Sequence, residues 1–318
     1  MSPHSEPPTP FADRLARAVA DRHTPVLVGL DPRYEKLPAG MEPLGTAGGA
    51  RADWVGKAVA YRRFCEAVID VVAPLVAVVK PQAAFFEELG PPGMTALKDV
   101  IDYARAKGLL VILDGKRNDI GTTAAAYATG YLGSPALSAW AADALTVSPY
   151  LGGDSLDPFI DVAARRGAGI FVLVKTSNPG GGMFQDLLVE GQPLYRHVAN
   201  AVENWSLENQ ASCGYGAVGA VVGATYPDEL VALRAAMPHT WLLVPGYGSQ
   251  GASARDVSGA FDERGLGAII NSSRDIIFAH SCKEYSQRFG AARWQEAVEA
   301  ATRDMIARLR AETSAGML

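Results

Sequence analysis

LLVILDGKRNDIGTT, residues 109–123, joins a run of Leu, Val and Ile to a cluster of charged residues and then to an alanine-rich stretch. A short apolar run of this kind is typical of a strand that is buried on both faces. The alanine-rich residues 121–128 that follow favour a helix. The segment therefore predicts one strand-to-helix unit, with its charge concentrated where the strand ends.

Seven further apolar runs occur along the chain, each ending in small, polar or charged residues. The eight runs start at Val26, Val76, Leu109, Ala144, Gly169, Ala217, Trp241 and Gly267. Segments with helical spacing lie between several of them, at 58–72, 95–107, 155–166, 194–207 and 228–236. This alternation predicts a single-domain (β/α)8 barrel, the TIM barrel. A doubly wound open sheet is the alternative, but no Gly-x-Gly-x-x-Gly follows the first run.

The length of 318 residues fits one barrel, because such barrels commonly run to about 250 residues or more as one domain. Residues 1–23 predict a disordered lead and an amphipathic helix, 24–312 the catalytic barrel, and 313–318 a C-terminal tail. Two longer stretches, 37–53 and 178–193, follow strands and are expected on the face where barrel enzymes build their sites. The 37–53 insertion indicates no particular role.

The composition excludes several classes of function. Apolar residues make up 48% and charged residues 20%, and the net charge of -5 argues against a nucleic-acid-binding surface. No apolar run approaches the roughly 20 residues that span a bilayer, and the N-terminus lacks the core of a signal peptide. The three cysteines are far apart and predict neither disulfides nor a zinc site. We expect a cytoplasmic protein without a membrane or nucleic-acid partner.

The spacing of the charged residues after the third run predicts which of their side chains lie on the same face of the strand. Asp114 and Lys116 are two positions apart, so on a strand their side chains share one face. Asp119 lies past the strand end, and we expect its carboxylate to point elsewhere, into a neighbouring subunit's pocket. The alternative for the isolated motif is that Asp119 caps the next helix and the other charges form a solvated turn.

Polar residues also end the other predicted strands, which a barrel gathers on one rim. They are Asp31, Lys80, Thr176, Ser177, residues 245–251 and residues 272–274. Barrels often bind phosphate with the loops after the last two strands. Here PGYGSQG, 245–251, offers backbone N–H groups and the amide of Gln250, while Arg274 stands where a helix would begin. These loops predict a phosphorylated ligand; ordinary glycine turns and a surface arginine are the alternative.

Together these residues make the chain resemble the orotidine 5′-phosphate decarboxylase family, specifically its longer bacterial subgroup. The resemblance extends from residue 26 to about residue 276. Its most specific motif is Asp114-x-Lys116-x-x-Asp119-Ile120, with Thr123 beyond it, supported by Lys80 in VVKPQ, Ser177 in KTSNPG, Gln250 in PGYGSQG and Arg274. Gly121 replaces a common proline and Ser273 a common glycine, but neither change removes a charged group.

The resemblance implies decarboxylation of orotidine 5′-phosphate to UMP, without a metal or other cofactor, by a homodimer with shared active sites. Lys116 would stabilise the carbanion at C6 and then protonate it. Lys80, Asp114 and Asp119 of the partner subunit would complete an alternating charge network around Lys116.

Substrate contacts are implied in the same way. Asp31 and Lys80, with Thr123 of the partner subunit, would bind the ribose hydroxyls, and Ser177 would contact the pyrimidine. Gln250 and Arg274 would hold the phosphate, with Pro245 and Ser273 also among the substrate-binding residues. The loops at 178 and 246 are candidate lids.

Two alternatives stay open. Metal-dependent hexulose-phosphate synthases and keto-gulonate-phosphate decarboxylases carry a similar Asp-x-Lys-x-x-Asp motif, but they place an acidic metal ligand where this chain has Lys80. A metal-dependent sugar-phosphate lyase is therefore the second hypothesis. A non-catalytic barrel that binds a phosphate ligand is the third.

Overall fold

The computed structural model describes residues 7–41, 54–248 and 251–318. Its strands are β1 Val26–Leu30, β2 Val78–Pro81, β3 Leu110–Arg117, β4 Ala144–Val147, β5 Gly169–Lys175, β6 Leu188–Val189, β7 Gln192–Pro193, β8 Val218–Val222, β9 Leu242–Val244 and β10 Ala268–Ser272. Eight of them form a closed parallel barrel in the order β1-β2-β3-β4-β5-β8-β9-β10, and β10 pairs back onto β1. The predicted (β/α)8 barrel is confirmed, and each predicted apolar run supplies one barrel strand.

The strands β6 and β7 form a small antiparallel hairpin outside the barrel. The hairpin lies within the stretch 178–193, which the sequence marked as an insertion after a strand. Its side chains are largely exposed, so no buried apolar pattern marked it as strand.

Helices alternate with the barrel strands. They are α1 Phe11–Arg22, α2 Trp54–Val72, α3 Ala83–Glu87, α4 Gly90–Ala106, α5 Gly121–Tyr131, α6 Asp157–Arg166, α7 Gly182–Gln185, α8 Leu194–Glu208, α9 Pro227–Ala236, α10 Arg274–Ile277, α11 Lys283–Phe289 and α12 Trp294–Glu312. Helix α4 begins before the predicted residue 95 because prolines are tolerated in a helix's first turn, where their missing N–H has no partner to lose.

The N-terminal helix α1 closes the barrel at the end opposite the strand carboxyl termini. Its side chains Phe11, Leu15 and Val19 are buried against residues that point into the barrel, such as Phe171 and Trp241. The rings of Phe11 and Phe171 meet edge to face with centroids 6.1 Å apart. The predicted amphipathic helix is therefore part of the core, and only one end of the barrel stays open to a ligand.

The C-terminal residues pack on the same body. Ala315 is fully buried, and the Ser314 hydroxyl donates to the Asp262 carbonyl at 2.8 Å. Residues 1–6 of the predicted lead and 42–53 of the predicted insertion lie outside the described residues. Within the described ranges, no helix combines the length and the apolar character needed to cross a membrane.

Candidate active site

A cavity of about 410 Å³ opens at the carboxyl ends of the barrel strands. Its wall contains Asp31, Lys80, Gln82, Asp114, Lys116, Thr146, Thr176, Ser177, Asn178, Pro245, Gly246, Tyr247, Asn271, Ser273 and Arg274. The structure thus brings together eight of the predicted site residues: Asp31, Lys80, Asp114, Lys116, Ser177, Pro245, Ser273 and Arg274. Gln250 lies outside the described residues.

Asp114 is the centre of the polar network in this cavity. Its Oδ2 accepts hydrogen bonds from Lys80 Nζ at 2.7 Å and from Gln82 Nε2 at 3.0 Å. Its Oδ1 accepts from Lys116 Nζ at 2.6 Å and from the Thr146 hydroxyl at 2.9 Å. With each oxygen held by two donors, the carboxylate is fixed in one orientation.

Charge pairing keeps this network ionised. Burial alone would raise the pKa of Asp114, but the neighbouring ammonium groups of Lys80 and Lys116 outweigh it and hold that pKa well below its usual range. Burial alone would lower the pKa of Lys80, but Asp114 and Asp31 raise it above its ordinary value. The site therefore holds a buried carboxylate between two cations.

A β-bulge positions Lys116. The pairing of β3 with β4 shifts register between Leu113 and Arg117, and Lys116 has a φ of +45°. Such a conformation costs a non-glycine residue on the order of 1–3 kcal/mol, and it is found where function re-aims a side chain. The Lys116 side chain is 48% exposed toward the cavity mouth, so its ammonium is open to a ligand.

Two acceptors in the cavity wall lack protein partners. Among the described residues, Asp31 Oδ1 and Asn271 Oδ1 are buried without a hydrogen bond. A buried acceptor left unpaired costs about 1–3 kcal/mol, so both sites suit a ligand that brings hydroxyl or N–H donors.

The two loops predicted to bind phosphate flank the cavity on one side. Pro245, Gly246 and Tyr247 come after β9, and helix α10 begins at Arg274, as the sequence predicted. Gly246 has a φ of +104°, which an L side chain rarely adopts. The loop conformation therefore depends on glycine at this position.

Asp119 and Thr123 lie outside their own chain's cavity. Thr123 is exposed on α5, and Asp119 is partly exposed just before it. The Asp119 carboxylate accepts from the N–H of Ile120 at 2.8 Å, while the N-cap position itself belongs to Ile120, without a side-chain capping bond. Helix capping therefore does not account for Asp119.

Three polar residues of the site were not predicted: Gln82, Thr146 and Asn271. Gln82 follows Lys80 by two positions, and this spacing was an available signal for a shared face. Thr146 sits inside the apolar run of β4, where threonine is an ordinary strand residue. Asn271 is a polar residue inside an otherwise buried strand, which was also a usable signal.

The donor set around Asp114 differs from that of a metal site. Both carboxylate oxygens are already occupied by ammonium, amide and hydroxyl donors. In the part of the chain that the structure describes, no group of three or more His, Cys, Asp or Glu side chains is placed to hold a metal ion. The cavity suits an organic anion with polar hydroxyls.

The fold and this cavity define a (β/α)8-barrel protein with an enzyme-like site for an anionic ligand. Residues 24–289 match the model of the orotidine 5′-phosphate decarboxylase / HUMPS family, and the chain belongs to this family. The family prediction made from the motifs is confirmed.

Individual relatives align with this chain over most of their length. The chain is 56% identical over 302 residues to orotidine 5′-phosphate decarboxylase of Rhodopirellula baltica, covering 94% of this chain and 99% of the relative. It is 45% identical over 270 residues to the same-named protein of Deinococcus radiodurans, covering 85% and 89%. The solved structure of Leishmania donovani OMP decarboxylase superposes with a TM-score of 0.72 at 34% identity, covering 96% of this chain and 98% of that one.

Proposed function

We propose that this chain decarboxylates orotidine 5′-phosphate to UMP, a step of pyrimidine biosynthesis. The observation that carries the proposal is the Lys80–Asp114–Lys116 array in the barrel mouth of a chain that belongs to this family. The names of its relatives, which align over nearly their whole length, support the same reaction.

The chemistry requires a cation beside the reacting carbon. Loss of CO₂ breaks the bond at C6 of the pyrimidine and leaves its electron pair on a carbon with no adjacent carbonyl to delocalise it. The site must therefore stabilise the carbanion electrostatically and then protonate it. Lys116 suits both tasks, because its ammonium is exposed to the cavity and is held by Asp114 at 2.6 Å. It passes one proton to C6 and regains it from solvent.

Substrate contacts follow from the lining residues. Asp31 and Lys80 bind the ribose hydroxyls, and the unpartnered Asp31 Oδ1 supports this assignment. Ser177 contacts the pyrimidine from the loop after β5. Arg274 binds the phosphate, with further contacts from Pro245, Gln250 and Ser273.

One assay separates the three hypotheses. Decarboxylation of orotidine 5′-phosphate removes the orotate-type ultraviolet absorbance, and we expect the same rate with and without a chelator. Activity abolished by the chelator and restored by a divalent cation would favour a metal-dependent lyase. Tight binding of UMP without turnover of orotidine 5′-phosphate would favour a non-catalytic binding protein.

A homodimer that shares its active sites is part of the proposal. Asp119 and Thr123 lie outside their own cavity, and exposed apolar side chains lie in the segments that follow β4 and β5. Tyr150 is 79% exposed, and its ring lies 6.4 Å from that of Phe184, which is also exposed. Exposed apolar clusters of this kind mark protein interfaces. A second copy of the chain would bury the cluster and receive Asp119.

Two experiments test the dimer: complementation between two inactive variant chains, and sedimentation, which gives the mass of the assembly. Mixed dimers of Asp119→Ala and Lys116→Ala chains contain one site with both groups intact, so they should regain a measurable part of the activity. A Tyr150→Glu chain should sediment as a monomer and lose activity. Verified mixed dimers that stay inactive would refute shared sites.

Two finer expectations also stay proposals. The cytoplasmic location is tested by fractionating cells that express the protein at its natural level and locating it by antibody. Membership of the longer bacterial subgroup is tested by a phylogeny built on the barrel residues. A membrane-bound pool would contradict the first, and placement among the shorter enzymes would contradict the second.

A further inference from the structure

We propose that the hydroxyl of Thr146 is the positioning group of the catalytic lysine, holding both the backbone of Lys116 and its carboxylate partner. This inference rests on the proposed function, because its main readout is turnover of orotidine 5′-phosphate. Thr146 is 2% exposed and lies on β4, the strand next to β3.

Three hydrogen bonds form a closed ring that begins and ends on Lys116. The Lys116 backbone N–H donates to Thr146 Oγ1 at 2.9 Å. The Thr146 hydroxyl donates to Asp114 Oδ1 at 2.9 Å, and this same oxygen accepts from Lys116 Nζ at 2.6 Å. The hydroxyl therefore couples the position of the lysine backbone to the position of its ammonium.

Thr146 lies where the strand pairing is interrupted. Leu113 pairs with Leu145, and Arg117 pairs with Val147, so three residues of β3 stand opposite the single residue Thr146. A bulge leaves backbone groups without regular ladder partners. The Thr146 hydroxyl supplies a partner for the Lys116 N–H and so supports the positive φ of that residue.

The direction of each hydrogen bond is fixed by chemistry. A backbone N–H can only donate, so the Thr146 oxygen accepts from Lys116. An ionised carboxylate can only accept, so the Thr146 proton goes to Asp114. A hydroxyl meets both demands at once, and the β-branched side chain restricts the torsion that places it.

The expected consequence is kinetic. Releasing the bulge would let the ammonium drift from its place beside the reacting carbon, and a displacement of about 1 Å can cost on the order of 100-fold in rate. Substrate binding would change less, because the proposed ribose and phosphate contacts lie on other strands. Loss of the hydroxyl should therefore lower kcat and leave KM nearly unchanged.

Two pairs of chains test the positioning role, and the two members of each pair differ in whether residue 146 carries a hydroxyl. Wild type and Thr146→Val have side chains of nearly equal shape, and Thr146→Ser and Thr146→Ala both lack the methyl group. We expect each hydroxyl-free member to have a kcat about 100-fold lower than its partner, with KM within about threefold. Thr302→Val is the matched control, because Thr302 is also fully buried but bonds only to the Val298 carbonyl on α12.

The outcomes separate this inference from the proposed function. If the Thr146→Val chain does not fold, the Ser and Ala pair decides. A kcat ratio under tenfold within the folded pairs, or a loss confined to KM, overturns the positioning role. Failure of the wild type to turn over orotidine 5′-phosphate would overturn the proposed function itself, since the same preparation would still be folded by circular dichroism.

Discussion

Lys80 and Lys116 donate to opposite oxygens of one carboxylate. Lys80 Nζ lies 2.7 Å from Asp114 Oδ2, and Lys116 Nζ lies 2.6 Å from Asp114 Oδ1. The two lysines differ in access: the Lys80 side chain is 5% exposed, whereas that of Lys116 is 48% exposed. We infer a division of roles, in which Lys80 fixes the carboxylate beside its proposed ribose contact and Lys116 meets the reacting carbon.

Removal of the exposed ammonium should abolish most of the activity. For Lys116→Ala we expect kcat to fall by about 1000-fold or more, because both carbanion stabilisation and proton delivery are lost. The measurement is initial rate by ultraviolet absorbance. Lys98→Ala is the control, because Lys98 pairs only with Asp102 on the outer surface of α4. Turnover of the Lys116→Ala chain at the parent rate would refute the mechanism.

Replacement of Arg274 should lower the affinity of the site for the nucleotide. Replacement by Ala removes a guanidinium from the cavity wall, and we expect KM and the Kd of UMP to rise by about 100-fold, since charged hydrogen bonds contribute about 1.5–3 kcal/mol each. Titration calorimetry with UMP measures this directly. Arg293→Ala, which loses an exposed pair with Glu296, is the control. Unchanged UMP affinity would contradict phosphate binding by Arg274.

Acid should weaken the fold through Asp114. Burial would raise the pKa of its carboxyl, but Lys80 and Lys116 outweigh burial and hold that pKa well below the ordinary value. A lowered pKa means that the unfolded chain binds the proton more readily, so the stabilisation is present above about pH 4 and is lost as the pH falls further.

The comparison with Asp114→Asn isolates this effect. We expect the difference in urea midpoint between wild type and Asp114→Asn to be constant from pH 7 to about pH 5 and to shrink below about pH 4. A difference in urea midpoint that stays constant down to pH 3.5 would show that Asp114 contributes nothing to the loss of stability in acid.

A second buried lysine should anchor the stretch 178–193. The Lys175 ammonium pairs with Asp186 beside α7 and lies 3.6 Å from Glu229 on α9. The rings of Tyr195 and Tyr226 lie 4.8 and 5.2 Å from the same nitrogen. Burial would lower the pKa of Lys175, but these carboxylates raise it above its ordinary value, so the lysine stays cationic.

For Lys175→Met we expect faster proteolytic cleavage within 178–193 and a loss of about 1–2 kcal/mol in the free energy of unfolding, because Asp186 is half exposed and its pairing is partly screened. Limited proteolysis followed by mass spectrometry gives the cleavage sites. Arg303→Met removes only an exposed pair on α12 and should cost less than about 0.5 kcal/mol. Equal cleavage rates in the two variants would rule out the anchor.

The barrel was predictable because each strand carries its own signal. Continuous Val, Ile and Leu runs are buried on both faces, and the charged or glycine-containing residues after each run mark its end. The hairpin of β6 and β7 was not predictable, because its exposed residues carry no periodic apolar pattern. The packing of α1 into the barrel end was also missed, since amphipathicity shows that a helix is buried on one face but not against what.

The charged residues of the site were predictable, whereas the neutral residues Gln82, Thr146 and Asn271 were missed. Lys80, Asp114 and Lys116 stand out because ions at the ends of apolar strands need partners. Thr146 gave no such signal, because its role depends on a shift in register between β3 and β4 that only the folded structure shows. The positive φ of Lys116 belongs to the same bulge and is invisible in the residue type.

The pairing of β1 with β10 closes the barrel and makes the first and last barrel strands neighbours in the cavity wall. Leu27 pairs with Asn271, and Val28 pairs with Ser272, so the side of the cavity that carries Asp31 meets the side that carries Arg274 only through this last contact. A polypeptide still emerging from the ribosome lacks that seam until the eighth barrel strand has been translated. A nascent chain that ends before this strand therefore cannot bring Asp31 and Arg274 into one cavity.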